Sequence, residues 1–178
     1  MRTTPAGERL LHAASELFYT RGIHAVGVDL IAETAGTTKK TLYDRFGSKD
    51  ALVAQYLSRR FERWQAHVTT WLDGVTEDRV LAVLDALEDW LGDHGCAFIN
   101  AHAEIGRSDH PAIAVIRAEK QWMRDLYERL AAEAGAPGAG PALHLLHEGA
   151  MVARTVGGQQ DALATAKSAA RRLLDTAG

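Results

Sequence analysis

The stretch from Gly36 to Leu52, GTTKKTLYDRFGSKDAL, leaves this chain little freedom. Gly36 ends one helix, a short basic segment follows, and Gly47-Ser48 starts another helix at once. The spacing predicts a helix over about Lys39 to Phe46, with Leu42 and Phe46 on one side and lysines, threonines and an arginine on the other. A helix of this length is not stable alone. Held between tight turns and packed on neighbouring helices, it is what a helix-turn-helix lays in a DNA groove.

The rest of the chain reads as helix too. Apolar residues recur at helical spacing, and no sustained period-2 run of β-branched residues calls for a sheet. The expected fold is all-α: a three-helix helix-turn-helix head over 1–47, then a helical ligand-binding and dimerisation body over 48–178, about nine helices in total. In the head, Thr4 and Pro5 open the first helix and Arg21-Gly22 closes it. Leu10, Leu11, Ala14, Leu17 and Phe18 form its inner face. A second helix covers about Val28 to Ala35, with Ile31 and Ala35 inward, and Thr38 caps the third. The expected head core is Leu17, Phe18, Val26, Ile31, Leu42 and Phe46.

Ser48 caps a long fourth helix, with Asp50 in its first turn and Leu57, Phe61, Trp64, Val68, Trp71 and Leu72 as its apolar line, up to Gly74. Five further helices are expected over about Glu77–Leu91, Cys96–Ile105, Pro111–Glu133, Pro141–Val156 and Asp161–Thr176. Ser108-Asp109-His110-Pro111, a loop of small residues over 134–141, and Gly157-Gly158 separate the last of these.

Charge is uneven rather than extreme. The net charge is −3 over 178 residues. Residues 1–65 carry ten Lys/Arg against seven Asp/Glu, or +3; residues 66–178 carry ten against sixteen, or −6. A DNA-facing head on an acidic body fits this distribution. The single cysteine, Cys96, precludes an internal disulfide. Arg2 is not followed by an apolar core, so no signal peptide is expected, and no apolar run approaches the ~20 residues that span a bilayer. The expectation is a cytoplasmic protein with no membrane partner.

The head resembles the TetR family of transcriptional regulators. The residues that carry the likeness are Ala13-Ala14, Leu17-Phe18, Arg21-Gly22, Ile31-Ala32, Ala35-Gly36, Lys39, Thr41-Leu42-Tyr43, Phe46, Ser48-Lys49 and Leu52. The body resembles one branch of that family through Gly95 to Ala101 with Glu104, His110-Pro111 and Glu148-Gly149-Ala150. Ala97 stands where that branch usually has proline. Lys40 and Asp44 occupy variable recognition-helix positions, so no operator transfers from a relative.

The expected DNA-contacting residues are Thr38, Lys39, Lys40, Thr41, Tyr43, Arg45 and Lys49. Lysine and arginine read guanine edges, and threonine can touch a thymine methyl. Lys40 is the leading base reader, with Arg45 beside it. Tyr43 resembles the family tyrosine that packs on the DNA backbone. Lys49, at a helix start, suits a phosphate, and Thr38 can cap the helix and touch phosphate as well.

The partner is double-stranded operator DNA, and a dimer is expected to set two recognition helices about 34–36 Å apart on a palindrome. The last two helices, about 141–156 and 161–176, are the expected homodimer surface. Leu143, Leu146, Ala150 and Ala153 form one face of it, and Ala162, Ala166, Ala169, Leu173 and Ala177 the other, as a four-helix bundle across a two-fold axis. The resemblance further implies a small-molecule effector in the body and release of DNA when it binds, hence a repressor. The candidate lining is Trp64, His67, Trp71, Phe98, His102, Trp122, Met123, Tyr127, His147 and Met151, aromatic and Met side chains with a few polar tips. The same residue types at the same spacing also build a core.

Two rivals differ in chemistry. One keeps the DNA-binding head but senses redox state through Cys96. The other is a helical-bundle metal-binding enzyme. It is disfavoured because no Asp or Glu precedes a His by three residues, and nothing completes a tetrahedral set around His144 and His147. No cofactor, metal or catalytic residue is expected.

Overall fold

Three helix starts in the first unit, those at Pro5, Lys39 and Lys49, are written into their capping residues. A computed structural model describes residues 4–106 and 109–177. Arg2 and Ser108, and the side chain of Ala177, lie outside the described residues. Helix α1 is Pro5–Arg21; Thr4 Oγ1 accepts from the Gly7 N–H at 3.3 Å. Helix α2 is Val28–Thr34 and α3 is Lys39–Phe46. Gly36 (φ 59°) and Gly47 (φ 77°) make the left-handed turns on either side of α3. The Thr38 side chain accepts from Thr41 N–H at 3.1 Å. Ser48 Oγ accepts from Ala51 N–H at 3.0 Å and opens α4, Lys49–Leu72. The remaining helices are α5 (Arg79–Trp90), α6 (Ala97–Ile105), α7 (Ala112–Glu133), α8 (Gly140–Thr155) and α9 (Ala162–Ala177). Helix α6 begins at Ala97 without the proline of the related branch. The described residues are therefore all-α, with no strand.

The chain divides into two units, 1–61 with 97–117, and 62–96 with 118–178. The first holds the head, the start of α4, α6 and the start of α7. Its core is Leu10, Ala14, Leu17, Phe18, Val26, Ile31, Leu42, Leu52 and Leu57, all buried, while Phe46 is half-buried. Leu42 is the inward anchor of α3, and full burial of one leucine is worth about 2 kcal/mol. That is how eight residues stay helical.

The second unit packs the end of α4, α5, the end of α7, α8 and α9 around Trp64, Val68, Leu84, Leu87, Met123, Tyr127, Leu130, Leu143 and Leu163. Gly140 permits the closest approach in it. A Cβ there would stand 2.6 Å from Glu128 Cα, so only glycine lets α8 start against the α7 backbone.

The faces expected to form the dimer are turned into this core. Leu143, Ala150, Ala162 and Ala166 are buried, Leu146 and Leu173 pack partly buried against the same cluster, and Ala153 and Ala169 are half-buried. Their small size lets α8 and α9 lie close within one chain. The outward stripe of α8 is Leu145 and Val152, continued by the C-cap Val156; they are 70%, 43% and 82% exposed. Gly149 lies between them with nothing within 4 Å of a Cβ placed on it.

Candidate nucleic-acid interface and effector site

Helix α3 presents its polar side outward. Thr38, Lys39, Lys40, Tyr43 and Arg45 are exposed and Thr41 is half-exposed. Tyr43 keeps 43% of its surface open, unusual for a large ring. Acidic neighbours hold two lysines in place: Lys39 Nζ is 3.1 Å from Asp29 Oδ2, and Lys40 Nζ is 2.9 Å from Asp44 Oδ2. The Lys40–Asp44 hydrogen bond raises the Lys40 pKa. Such exposed i,i+4 pairs are weak, so a phosphate or guanine can compete for the ammonium. The hydroxyls of Thr38 and Thr41 lie 2.9 Å apart at the start of α3.

Lys49, a candidate phosphate ligand, is half-buried in this structure. Its ammonium donates to the Ile23 carbonyl at 2.6 Å and sits 5.9 Å from the Phe18 ring centroid. Burial lowers its pKa, partly offset by Asp50 and Glu104. In this structure Lys49 ties the start of α4 to the turn after α1.

The body candidates separate. Trp64, His67, Trp71, Trp122, Met123, Tyr127, His147 and Met151 belong to the second unit; Phe98 and His102 belong to the first. Phe98 packs edge-on against Phe61 at 6.5 Å, whereas His102 is exposed and encloses nothing. In the second unit the rings form a ladder. Trp64 stacks on His67 at 5.8 Å and lies 5.5 Å from Trp90 and 6.3 Å from His147. Trp64 Nε1 donates to Met123 Sδ at 3.2 Å. Trp71 meets His67 at 5.7 Å but is 38% exposed, at the edge of the ladder rather than within it.

Beside the ladder lies a polar network only partly anticipated above. The Lys120 ammonium donates to both Glu148 oxygens, at 2.8 and 3.0 Å. It is 3.3 Å from Glu119 Oε2 and 3.9 Å from Cys96 Sγ. The Tyr127 hydroxyl and His147 Nδ1 are 3.0 Å apart. His144 Nε2 is 3.5 Å from Glu148 Oε1. Neither Glu119 Oε2 nor His144 Nε2 has an aligned hydrogen-bond partner among the described residues.

The network sets its own charges. Burial alone would lower Lys120, but Cys96, Glu119 and Glu148 outweigh it and hold the ammonium well above its ordinary value. Burial would raise Glu148, but His144 and Lys120 bring it down to about 2. Of these two, Lys120 has the stronger geometry, two short bonds against one long approach. Glu119 is raised, mainly by burial.

The readable signal was the phase of α7. Ile116, Lys120, Met123 and Tyr127 share one helical stripe, and a lysine in that stripe is a charge on an apolar face. On α8, His144, His147 and Glu148 fall at i, i+3 and i+4.

Burial brings His147 down to about 3, so it stays neutral in the fold. An unfolded chain protonates it near its ordinary value, so between those limits the unfolded state binds more protons and stability falls as pH drops. The His147 contribution lost between pH 7 and 5 is about 2 kcal/mol. Urea denaturation at the two pH values measures it. His147→Gln, which still accepts from Tyr127, is expected to flatten the difference.

Residues 10–56 match the family model described as "Bacterial regulatory proteins, tetR family". Over 97% of this chain and 96% of the other, the fold superposes on SCO4454, a TetR-family transcriptional regulator from Streptomyces coelicolor, with a TM-score of 0.88 and 33% identity. The chain belongs to the TetR family. Among curated HTH-type relatives, the transcriptional activator FasR of Mycolicibacterium smegmatis is 39% identical over 49% of this chain and 42% of its own. The transcriptional repressor DhaR of Mycobacterium sp. (strain GP1) is 26% identical over 70% of this chain and 65% of its own. The chain thus spans less than two thirds of the length of either. One is an activator and the other a repressor, so membership does not fix the sign of regulation. Fold and relatives are those of transcriptional regulators, not of enzymes. Among the described residues no three His, Cys, Asp or Glu side chains gather as a metal site, and no helix is long and apolar enough to cross a membrane.

Proposed function

We propose that this TetR-family chain is a cytoplasmic, ligand-responsive repressor that binds a palindromic operator as a homodimer and releases it when a small molecule occupies the body. In this reading residues 1–47 meet the DNA, and 48–178 bind effector and dimerise. The observation that carries it is the outward face of α3, where Lys39, Lys40, Tyr43 and Arg45 stand exposed on a helix anchored from behind by Leu42.

Tyr43 and Thr38 are assigned to the phosphate backbone, Lys40 and Arg45 to base edges, with Lys39 and Thr41 beside them. Lys49 is assigned an indirect part through the turn after α1, with phosphate contact only if its ammonium leaves the Ile23 carbonyl. The aromatic ladder supports an effector with an apolar or aromatic body. The network of Lys120, Glu148, Glu119 and His144 supports polar recognition at one end. Release follows if the effector prefers a conformation in which the two recognition helices no longer match one turn of DNA. The shift is limited by its differential affinity for the two states.

A footprint on the promoter region, with and without candidate ligands, tests the reading. Tyr43→Ala is expected to weaken binding about tenfold on every sequence, and Lys40→Ala to lose preference at one base position. Parental binding by both variants removes the assignment of α3.

One observation keeps a redox variant of this reading in view. The Lys120 ammonium stands 3.9 Å from the sulfur of Cys96, a free and half-buried thiol. Cys96→Ser that leaves an oxidant response unchanged, or no such response in the parent, ends that alternative.

A further inference from the structure

The peptide joining Ile23 to His24, in the turn between α1 and α2, is gripped from two sides. On one, the Lys49 ammonium donates to the Ile23 carbonyl at 2.6 Å. On the other, the His24 N–H donates to Glu104 Oε2 at 2.7 Å. Lys49 is the first residue of α4, and Glu104 lies in the last turn of α6. All four residues belong to the first unit. One peptide therefore links the helix that follows the recognition helix to a helix some fifty residues further along.

The sequence is shaped for this contact. Gly22 has φ 86°, and a Cβ on it would stand 3.1 and 3.2 Å from the two Glu104 oxygens. Glycine there both makes the turn and leaves space for the carboxylate. Phe18, Tyr19, Ile23, Tyr56, Ala97 and Ala101 close the seam around Glu104. A second tie runs alongside: His110 Nε2 is 3.5 Å from Asp50 Oδ1, and His110 Nδ1 accepts from the Ala112 N–H at 3.1 Å, opening α7.

We propose that Glu104 is a positioning residue for DNA recognition: with Lys49 it clamps the Ile23–His24 peptide and fixes the direction in which the head presents α3. The carboxylate touches no DNA. It acts through the turn, and a loosened turn lets the recognition helix sample more orientations. The inference rests on the operator-binding reading above and adds a residue that reading does not use.

The test uses full-length protein and palindromic duplexes selected in vitro on the parent, together with versions that have one base pair added or removed at the centre. The parent is expected to discriminate against altered spacing. Glu104→Ala is expected to cut that discrimination at least about threefold and to speed amide exchange at His24 at least about tenfold. Glu104→Asp keeps the charge but is one methylene short; it is expected to behave like Glu104→Ala, and serves alone if the alanine variant does not fold. Glu104→Gln keeps an acceptor for the His24 N–H and is expected to restore both readouts. If the variants lose affinity equally at every spacing, Glu104 is only structural and the proposal falls. It falls equally if His24 stays protected in Glu104→Ala. A parent that selects no palindrome overturns the underlying operator reading, which parental discrimination retained by the variants does not.

Discussion

Leu145→Glu combined with Val152→Glu is expected to yield a folded monomer that no longer retains palindromic DNA. The two side chains are 70% and 43% exposed, and Val156 beyond them is 82% exposed. With Gly149 they fall at i, i+4, i+7 and i+11, one straight line along α8. A continuous exposed apolar line of this kind marks an interaction surface. In the proposed homodimer this line would meet its own copy across a two-fold axis, where each side chain fully buried contributes about 1.5–3 kcal/mol. Four glutamates in that seam replace the gain with unpaired buried charge. The loss at the DNA follows from avidity. With both heads joined, the second half-site is bound intramolecularly; without the joint, apparent affinity drops about 100-fold or more. Sedimentation and a gel shift on a palindrome read both outcomes. A variant that stays dimeric, or a parent that is already monomeric, rules out this stripe as the dimer seam. Leu143→Ala makes the contrast: Leu143 is a core residue, so stability falls while the dimer persists.

That contrast also shows what a single sequence conceals. The nine helices of the described residues were legible, and so were the caps Thr4, Thr38 and Ser48, because these residues and the glycines are local signals acting over three or four residues. The outward face of α3 was legible because Leu42 fixes its phase. On α8, however, Leu143, Leu146, Ala150 and Ala153 also sit at helical spacing, and periodicity cannot say whether a partner is another helix of the same chain or of a second one. The small alanines of α9 invited a dimer reading, and the fold buries Ala162 and Ala166 within the chain. The Lys49 contact was hidden for a related reason: a lysine at a helix start is equally suited to a phosphate and to a nearby carbonyl, and only the fold brings Ile23 within 2.6 Å. Of the aromatic ladder, Trp64, His67, Trp71 and His147 stood out in the sequence as ring-bearing positions, without Trp90 and without their contacts. The charges behind it did not, because Glu119 and Lys120 read as surface residues unless the phase of α7 is taken strictly.

Lys120→Met is expected to cost about 3–5 kcal/mol at pH 7, because it leaves Glu119 and Glu148 together with no cation between them. The side chain of Glu119 is 5% exposed and that of Glu148 21%, so water does little to separate their charges. Without the ammonium, one carboxyl takes up a proton more readily in the fold than in the unfolded chain. A group raised in this way favours the fold more as pH falls, so the deficit against the parent narrows from pH 7 toward 5. Urea midpoints at the two pH values measure it, and a deficit that does not change with pH argues against carboxylate repulsion. The double variant Lys120→Met/Glu148→Leu separates stability from recognition. Apolar residues of similar volume often match or exceed a buried ion pair, so the double variant is expected to regain most of the loss. A network that apolar residues can replace without loss of stability is not kept for stability. In the proposed function its use is to present charge and hydrogen bonds to an effector beside an aromatic wall. The double variant is therefore expected to fold, to bind DNA like the parent, and to lose its response to the effector.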